Sequence, residues 1–542
     1  MRSKKGRREA ASAVAVALFA CGAGTLTGCA YTDLCSEVAA CTPDPEPPPG
    51  LCDGEPGTAP ALDECGVFVS ERGDDTSPGT KGAPVRTLQH AIGLAAHGRG
   101  HGEAATRRVY ACGGSFEEAI SLPQGVDLWG GRLCAGGDWS YGGPLDEQSA
   151  LTVIAPPVGI PVRVITGDDA TSVIFGVRVE AADASASDHK SSIAMILEQG
   201  ARAIVRSSVI LAGDGKDGDP GEDAPSVRAK AGVVGNNGAD ACTADAALGA
   251  LPVVTVCDDG IESTGGEGAR GSLETGSDGT PGLPEAVGTP EERGLAGSGA
   301  SGMACTDGQK GANGADAERG AGAAGAGLLD IYGWVGVRGK DGEKGGVGQG
   351  GGGGGGGKGR DPMNVPTNAC PADRPQGGAA GGSGGSGGCG GKGGKGGDYG
   401  GASIAIVALQ GSDLTVDAST VLGAKGGNGG VGGTGQWGGF GVNGGQGGRG
   451  FLTDTSPGCD GGLGGDGGRG GDAGGGHGGH SFGIGSVGAS VAILETAKVS
   501  PGQAGKGGSG GNASAANTYG TGNDGTAWFW YRFDEQDPEP PQ

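Results

Sequence analysis

Aromatic residues are scarce: they make up 4 % of a 542-residue chain, too few to furnish one conventional core along its whole length. No CxxC pair occurs, which argues against a zinc site or a thioredoxin-like motif. Positive charge is in deficit. Lys and Arg number 38 against 62 Asp and Glu, for a net charge of −24, and nucleic acid, which demands basic patches, is not an expected partner. No Asn-Thr-Asp or Gly-His-Gly-x-Ser arrangement of the polygalacturonase kind is present. The glycine triplets lack the apolar residue of calcium-binding nonapeptides. No Gly-Lys-Ser/Thr follows a strand at phosphate-loop spacing. The sequence therefore names no catalytic residue, no metal ligand set and no cofactor.

The N-terminus reads as an address. Arg2, Lys4, Lys5, Arg7 and Arg8 precede an apolar run over residues 11–20. That run is well short of the roughly 20 residues needed to span a membrane. It leads to Leu26-Thr27-Gly28-Cys29, which resembles the lipobox of bacterial lipoproteins. The resemblance implies cleavage before Cys29, diacylglycerol on its thiol, and a membrane partner reached through that anchor. Ala30, where an Asp signals inner-membrane retention in such proteins, implies the outer membrane or cell surface. Loss of residues 1–28 removes five basic residues and one acidic one, leaving the mature chain near −28. The prolines between 43 and 49 predict a stiff, extended spacer.

Of 14 cysteines, Cys21 leaves with the signal and Cys29 takes the lipid. The other twelve are Cys35, Cys41, Cys52, Cys65, Cys112, Cys134, Cys242, Cys257, Cys305, Cys370, Cys389 and Cys459. An even set in an exported chain predicts disulfides. Sequence does not fix their connectivity; Cys112 with Cys134, Cys242 with Cys257 and Cys370 with Cys389 are the short-range pairs expected.

Residues 67–131 carry the clearest globular pattern. Val67, Phe68 and Val69 open a strand, and Gly73-Asp74-Asp75 and Pro78-Gly79-Thr80 are turn chemistry. Thr87 is an N-cap candidate, and Leu88, Ala91, Ile92 and Ala95 form one helical stripe. Strands at 109–112 and 125–131 follow, punctuated by glycine. GDDTSPGTKGAPVRTLQHAIGLA and RVYACGGSFEEAISLPQGVDLWGG together resemble the N-terminal part of DUF1565-like, pectin-lyase-like right-handed parallel β-helix proteins. The resemblance covers about 70 residues and implies that the short helix caps the solenoid end, where an open rung would expose apolar interior and a strand edge. Further apolar stretches begin at Ser192, Ser403 and Ser481, and each runs through a second stretch into a glycine-rich excursion at Gly213, Gly423 and Gly502.

Glycine numbers 131. Collagen is rejected over 213–360, because the phase breaks repeatedly and proline is sparse. The near-pure glycine at 350–357 predicts a flexible loop. Beyond 380 the chain falls into triplets at 381–398, 426–449, 461–472 and 475–480. A period of three matches an extended helix of three residues per turn. Its two bare glycine edges would let neighbouring segments exchange backbone hydrogen bonds, as in polyglycine-II, with the third residues on a solvated face of a thin sheet or sandwich. This half also resembles PGRS-type glycine-rich surface proteins, which implies adhesion and matrix contact.

The expected class is all-β: a right-handed parallel β-helix with a short N-terminal capping helix and inserted polyglycine-II-like layers. Its parts are a signal peptide (1–28), a lipid-attached Cys/Pro-rich linker (29–64), the capped scaffold (65–212), a loose glycine-rich insertion (213–376), the Gly-Gly-X region with interleaved strands (377–512), and a closing aromatic strand with an acidic tail (513–542). Trp437 and Phe440 occupy third positions of adjacent triplets, so they project from one edge, where they would stack on sugar rings or pack on a neighbouring layer. His477 and His480 share an edge in the same way and read as solvated, or as a weak metal pair. Asp74-Asp75 and Asp168-Asp169 read as turn residues. The expected function is a non-catalytic surface lipoprotein for adhesion, matrix or polysaccharide contact, or envelope structure. The alternative is a β-helix polysaccharide lyase or glycoside hydrolase.

Overall fold

The computed structural model describes residues 50, 52–97, 107–143, 151–185, 190–285, 293–359, 370–371, 373–452, 455–514 and 517–534. The signal peptide, Cys29, Cys35, Cys41 and residues 535–542 lie outside the described residues. Two compact units divide the chain, Met1–Asp53 and Gly54–Gln542, and every strand and helix named here belongs to the second.

Val67–Val69 (β1) precedes Leu88–Ala96 (α1), the single helix among the described residues. Strands then come in threes: Arg108–Cys112 (β2), Gly114–Phe116 (β3) and Ile120–Pro123 (β4); Asp127–Arg132 (β5), Thr152–Ile154 (β6) and Val162–Ile165 (β7); Ser172–Phe175 (β8), Val177–Glu180 (β9) and Ser192–Leu197 (β10). Arg202–Arg206 (β11) and Val209–Leu211 (β12) lead into the first glycine-rich excursion. It carries two small hairpins, Val254–Val256 (β13) with Glu262–Thr264 (β14), and Leu328–Asp330 (β15) with Gly333–Val335 (β16). The chain returns as Ser403–Ala408 (β17), Asp413–Asp417 (β18) and Thr420–Leu422 (β19). After a second excursion come Ser481–Ser486 (β20), Ser490–Ile493 (β21) and Lys498–Ser500 (β22), and after a third, Ala527–Arg532 (β23).

The main strands build three parallel sheets, each taking every third strand. Their orders are β1-β2-β5-β8-β11-β18-β21, β22-β19-β12-β9-β6-β3 and β23-β20-β17-β10-β7-β4. The three enclose one apolar interior. The first contributes Leu128, Ile174 and Val205, the second Ile154, Val179 and Ile210, and the third Leu122, Met195 and Ile406. Alternation is regular on β11, whose Ala203 and Val205 are buried while Arg202, Ile204 and Arg206 are not. The third sheet departs from it: β10, β17 and β20 are buried throughout. The cause is a second cluster on its outer face, where Ile193, Ile404, Val407 and Phe482 meet Trp334 and Leu329 of the β15–β16 hairpin. A parallel strand covered on both faces reads as a continuous apolar run, as SIAMIL and SIAIVA do.

Helix α1 buries Leu88, Ala91, Ile92 and Ala95 against that interior, the stripe read from sequence. Thr87 accepts from the His90 amide at 3.3 Å. The Leu88 and Gln89 amides donate to the Glu118 carboxylate at 2.7 and 3.1 Å, so a residue 30 positions away satisfies the exposed helix start.

All three excursions leave after a strand of the second sheet and return into the third. The repeated serines make that corner. Ser192 Oγ accepts from the Gly213 amide, Ser403 Oγ from Ala424 and Ser481 Oγ from Gly502, each partner 21 residues ahead, at 2.8–2.9 Å. Each hydroxyl also donates to a carbonyl two residues past the second-sheet strand just before it: Ala182 after β9, Gly213 after β12 and Ala424 after β19.

Within the excursions the backbone hydrogen bonds have period three. The Gly382, Gly385 and Gly388 amides donate to Cys459, Gly462 and Gly465, whereas Ser383, Ser386 and Cys389 donate to Asn236, Val233 and Lys230, and Gly381 and Gly384 to Ala269 and Gly266. Successive amides therefore point to three different neighbours and return to the first every third residue. The segment at 350–357, expected as a flexible loop, is instead enclosed and buried throughout. Its amides donate to the carbonyls of three segments (379–385, 306–309 and 277–283), and its carbonyls accept from three more (266–269, 297–300 and 459–462). Six neighbours leave no edge for a side chain: a Cβ on Gly353 would overlap the Glu267 carbonyl oxygen, and one on Gly354 the Cys459 carbonyl oxygen.

The solvated third face is corrected in the same way. Ser383, Ser386 and Cys389 are buried, because segment 377–401 lies between layers rather than in a thin sheet. At the margins the third residues have a structural task. Asp214, Asp217 and Asp223 accept the amides of Lys425, Asn428 and Thr434, 211 residues on, and Asp307, Asn313 and Asp316 accept those of Asp460, Asp466 and Arg469, 153 residues on. A carboxylate or amide oxygen takes the place of a carbonyl where no further segment lies alongside.

The disulfides are Cys112–Cys134, Cys242–Cys370, Cys257–Cys389 and Cys305–Cys459; Cys52 and Cys65 are also disulfide-bonded. Only the first matches an expected short-range pair. The expected Cys242–Cys257 and Cys370–Cys389 pairs are replaced by bonds spanning 128 and 132 residues. Neighbours in the layers are segments distant in sequence, so the sulfurs that meet are distant too.

Candidate functional site

Trp437 and Phe440 sit on segment 426–449, held by amides of the preceding layer: Ala229 donates to the Trp437 carbonyl and Gly232 to that of Phe440, both at 2.9 Å. Both rings face solvent, 56 % and 52 % exposed. One guanidinium serves both, with Arg228 Cζ 4.0 Å from the Phe440 centroid and 5.6 Å from that of Trp437. The shared cation puts the two side chains on a common edge, as their three-residue spacing requires.

Arg228 was not singled out in the sequence, and its position comes from a break in phase. Ala224 donates to Thr434 and Ala229 to Trp437, so five residue steps on one segment face three on the other. The slack, which contains Pro225, Val227 and Arg228, bulges out. Gln436 fills the space behind it, donating to the Val227 carbonyl at 2.8 Å and accepting the Lys392 amide at 3.0 Å. It stands at the second place of a triplet, where glycine is the rule; in 426–449 only Gln436 and Val442 depart from it. Arg228 Nη1 donates to the Gly438 carbonyl at 2.9 Å, which fixes the guanidinium beside the rings.

Arg228 also lines a cleft of about 260 Å³, together with Lys230, Cys389, Gly390 and Gln436. The Cys257–Cys389 disulfide ties the β13–β14 hairpin beside it. Two ion pairs hold the same hairpin, Lys392–Asp258 at 3.0 Å and Lys344–Asp259 at 2.5 Å. The Lys344 ammonium holds the Asp259 carboxyl below the usual carboxylate range. Arg469 Cζ lies 5.2 Å from the Trp437 ring; Arg469 binds the buried Asp472, as does Arg319. Burial works to raise the Asp472 pKa, but the Arg469 and Gly435 donors prevail and hold it low.

The other residues singled out in the sequence have structural partners. Asp75 accepts the Arg86 and Thr87 amides ahead of α1, and Asp74 the amide and hydroxyl of Thr76. Asp168 pairs with Arg107 and Asp169 with Arg202. His477 and His480 do share an edge, with ring centroids 5.1 Å apart, but they are not solvated. They are 3 % and 2 % exposed, packed among Trp334, Phe482 and Tyr531. Among the described residues, no group of three or more His, Cys, Asp or Glu is placed to hold a metal ion, and no helix is long and apolar enough to cross a membrane. A second cavity of about 330 Å³ lies beside Cys112–Cys134 and is lined in part by Arg132. Burial draws the Arg132 pKa down to about 10, and its Nη2 donates to the Pro56 carbonyl at 2.7 Å. No family model, no curated protein and no solved structure matches the chain.

Proposed function

We propose that this chain is a non-catalytic cell-surface lipoprotein, anchored through Cys29, that holds polysaccharide against Trp437 and Phe440. In this reading the three sheets are the coils of a right-handed parallel β-helix capped by α1, and the excursions are polyglycine-II-like layers displaying the rings. The observation that carries it is the pair of half-exposed aromatics on one edge of a segment whose backbone is fixed by hydrogen bonds. Aromatic faces bury large area at low entropic cost, and here they are spent on solvent in a chain with few of them. The acidic pairs that a lyase or hydrolase reading would use are engaged in helix capping, turns and ion pairs to arginine.

The test is incubation of the purified protein on an array of plant and bacterial polysaccharides, reading retention together with release of unsaturated or reducing ends. Retention without cleavage is expected, falling at least tenfold in the Trp437→Ala/Phe440→Ala double variant. Cleavage of any glycan would overturn the non-catalytic reading. The anchor is tested separately: metabolic labelling with palmitate should mark the wild type and leave Cys29→Ser unlabelled.

A further inference from the structure

We infer that the glycan taken at this site is acidic, carrying carboxylate or similar anionic groups that enter the cleft lined by Arg228. The inference rests on the polysaccharide reading of Trp437 and Phe440 and adds the class of sugar.

The chain as a whole is strongly acidic, at −24, yet Trp437 and Phe440 stand among cations. Arg228 touches both rings, and Arg469 flanks Trp437. The cleft that Arg228 also lines collects Lys230, Lys344 and Lys392, with Asp258 among them. Asp258 and Asp259 are already neutralised by Lys392 and Lys344. Arg228 and Lys230 instead donate to the carbonyls of Gly438 and Val256, and among the described residues neither forms an ion pair with a carboxylate. Two positive charges are thus left over in a pocket that the disulfide and the hairpin keep in shape. A neutral sugar's hydroxyls can accept from them, whereas an anionic one gains charge-assisted hydrogen bonds roughly twice as strong. The phase break has the same implication: it costs the layer its regular ladder and yields one thing, an arginine between two rings. Rings three residues apart along a threefold segment stand about 9 Å apart, so alternate sugars of an extended chain can meet the two rings while anionic substituents face Arg228 and Lys230. The acidic surroundings repel polyanions that lack rings to stack, which sharpens the choice.

The test measures binding of polygalacturonate oligosaccharides, dextran and polyglutamate to the purified protein, to Arg228→Gln/Lys230→Gln and to Trp437→Ala/Phe440→Ala, with thermal melts to verify folding. The expected result is that polygalacturonate binds at least tenfold tighter than dextran, weakens as salt rises, and loses at least tenfold in each double variant, while polyglutamate is not retained. Equal binding of dextran and polygalacturonate, lost only with the aromatic pair, would overturn the acidic-sugar inference and leave the polysaccharide reading standing. Equal retention of polyglutamate would overturn it in favour of charge alone. Retention of no glycan on this test or on the array would sink both.

Discussion

At the scale of single residues, glycine does opposite things in different places. Gly353 belongs to a segment with neighbours on every side, and an added Cβ would overlap the Glu267 carbonyl oxygen. Gly93 lies inside α1 with nothing within 4 Å of where its Cβ would stand. Gly353→Ala should therefore lose about 3 kcal/mol through overpacking, and Gly93→Ala should gain about 1 kcal/mol from helix propensity. Denaturant melts of the two variants should move in opposite directions. Ser403 gives a third case. Its hydroxyl is buried between the Ala424 amide and the Gly213 carbonyl, so Ser403→Ala leaves both without a partner and should lower stability by about 2 kcal/mol in the same melts.

At the scale of elements, β23 depends on a histidine. The Thr526 amide, one residue before the strand, donates to His480 Nδ1 at 2.9 Å, so the ring proton sits on Nε2 and goes to the Ala326 carbonyl at 3.1 Å. Tyr531 of β23 stacks on the same ring. Burial lowers the His480 pKa from 6.5 to about 4, and His477 is lowered by burial too. The unfolded chain takes up the proton first, so stability is full above about pH 6.5 and declines as pH falls towards 4. The loss is about 3 kcal/mol for His480 alone. Melting temperatures at pH 7 and pH 4.5 should show the decline, and His480→Phe should flatten it. This element also shows what sequence could and could not reveal. The aromatic run of β23, the α1 stripe, the serine repeat and the period of three were all legible, because each is a local pattern. The burial of His477 and His480 was not, because Trp334 reaches them from an excursion more than a hundred residues upstream. Glycine at 350–357 was misread for the same reason: absence of side chains signals a loop or a fully enclosed strand, and only the neighbours decide. Trp437 and Phe440 were visible as a pair, while Arg228 was hidden in a stretch whose irregular phase looked like noise.

At the scale of the whole molecule, the glycine pattern is a depth gauge. Outer segments such as 214–223 carry one glycine per triplet, intermediate ones such as 381–389 carry two, and 350–357 carries three, each glycine marking an edge where another backbone lies. The acidic composition follows in part from the same packing, since Asp214, Asp217, Asp223, Asp307 and Asp316 stand in for missing carbonyls at its margin. Disulfides that close loops of 128–154 residues add about 5 kcal/mol each in the chain-entropy picture, in a region where glycine raises the entropic cost of order.

The fixed offsets of 211 and 153 residues between bonded segments also set a timetable. The first excursion leaves the sheets at Gly213, but the amides that its aspartates receive are made only when the chain has reached Lys425 and beyond. Its hairpins and the bonds among residues 247–300 are local and can form on the way, but the contacts to the later segments are distant in sequence and form slowly. The sheets up to β12 can close as the chain emerges; the outer segment that starts at Gly213 must wait for the chain beyond Lys425 to arrive.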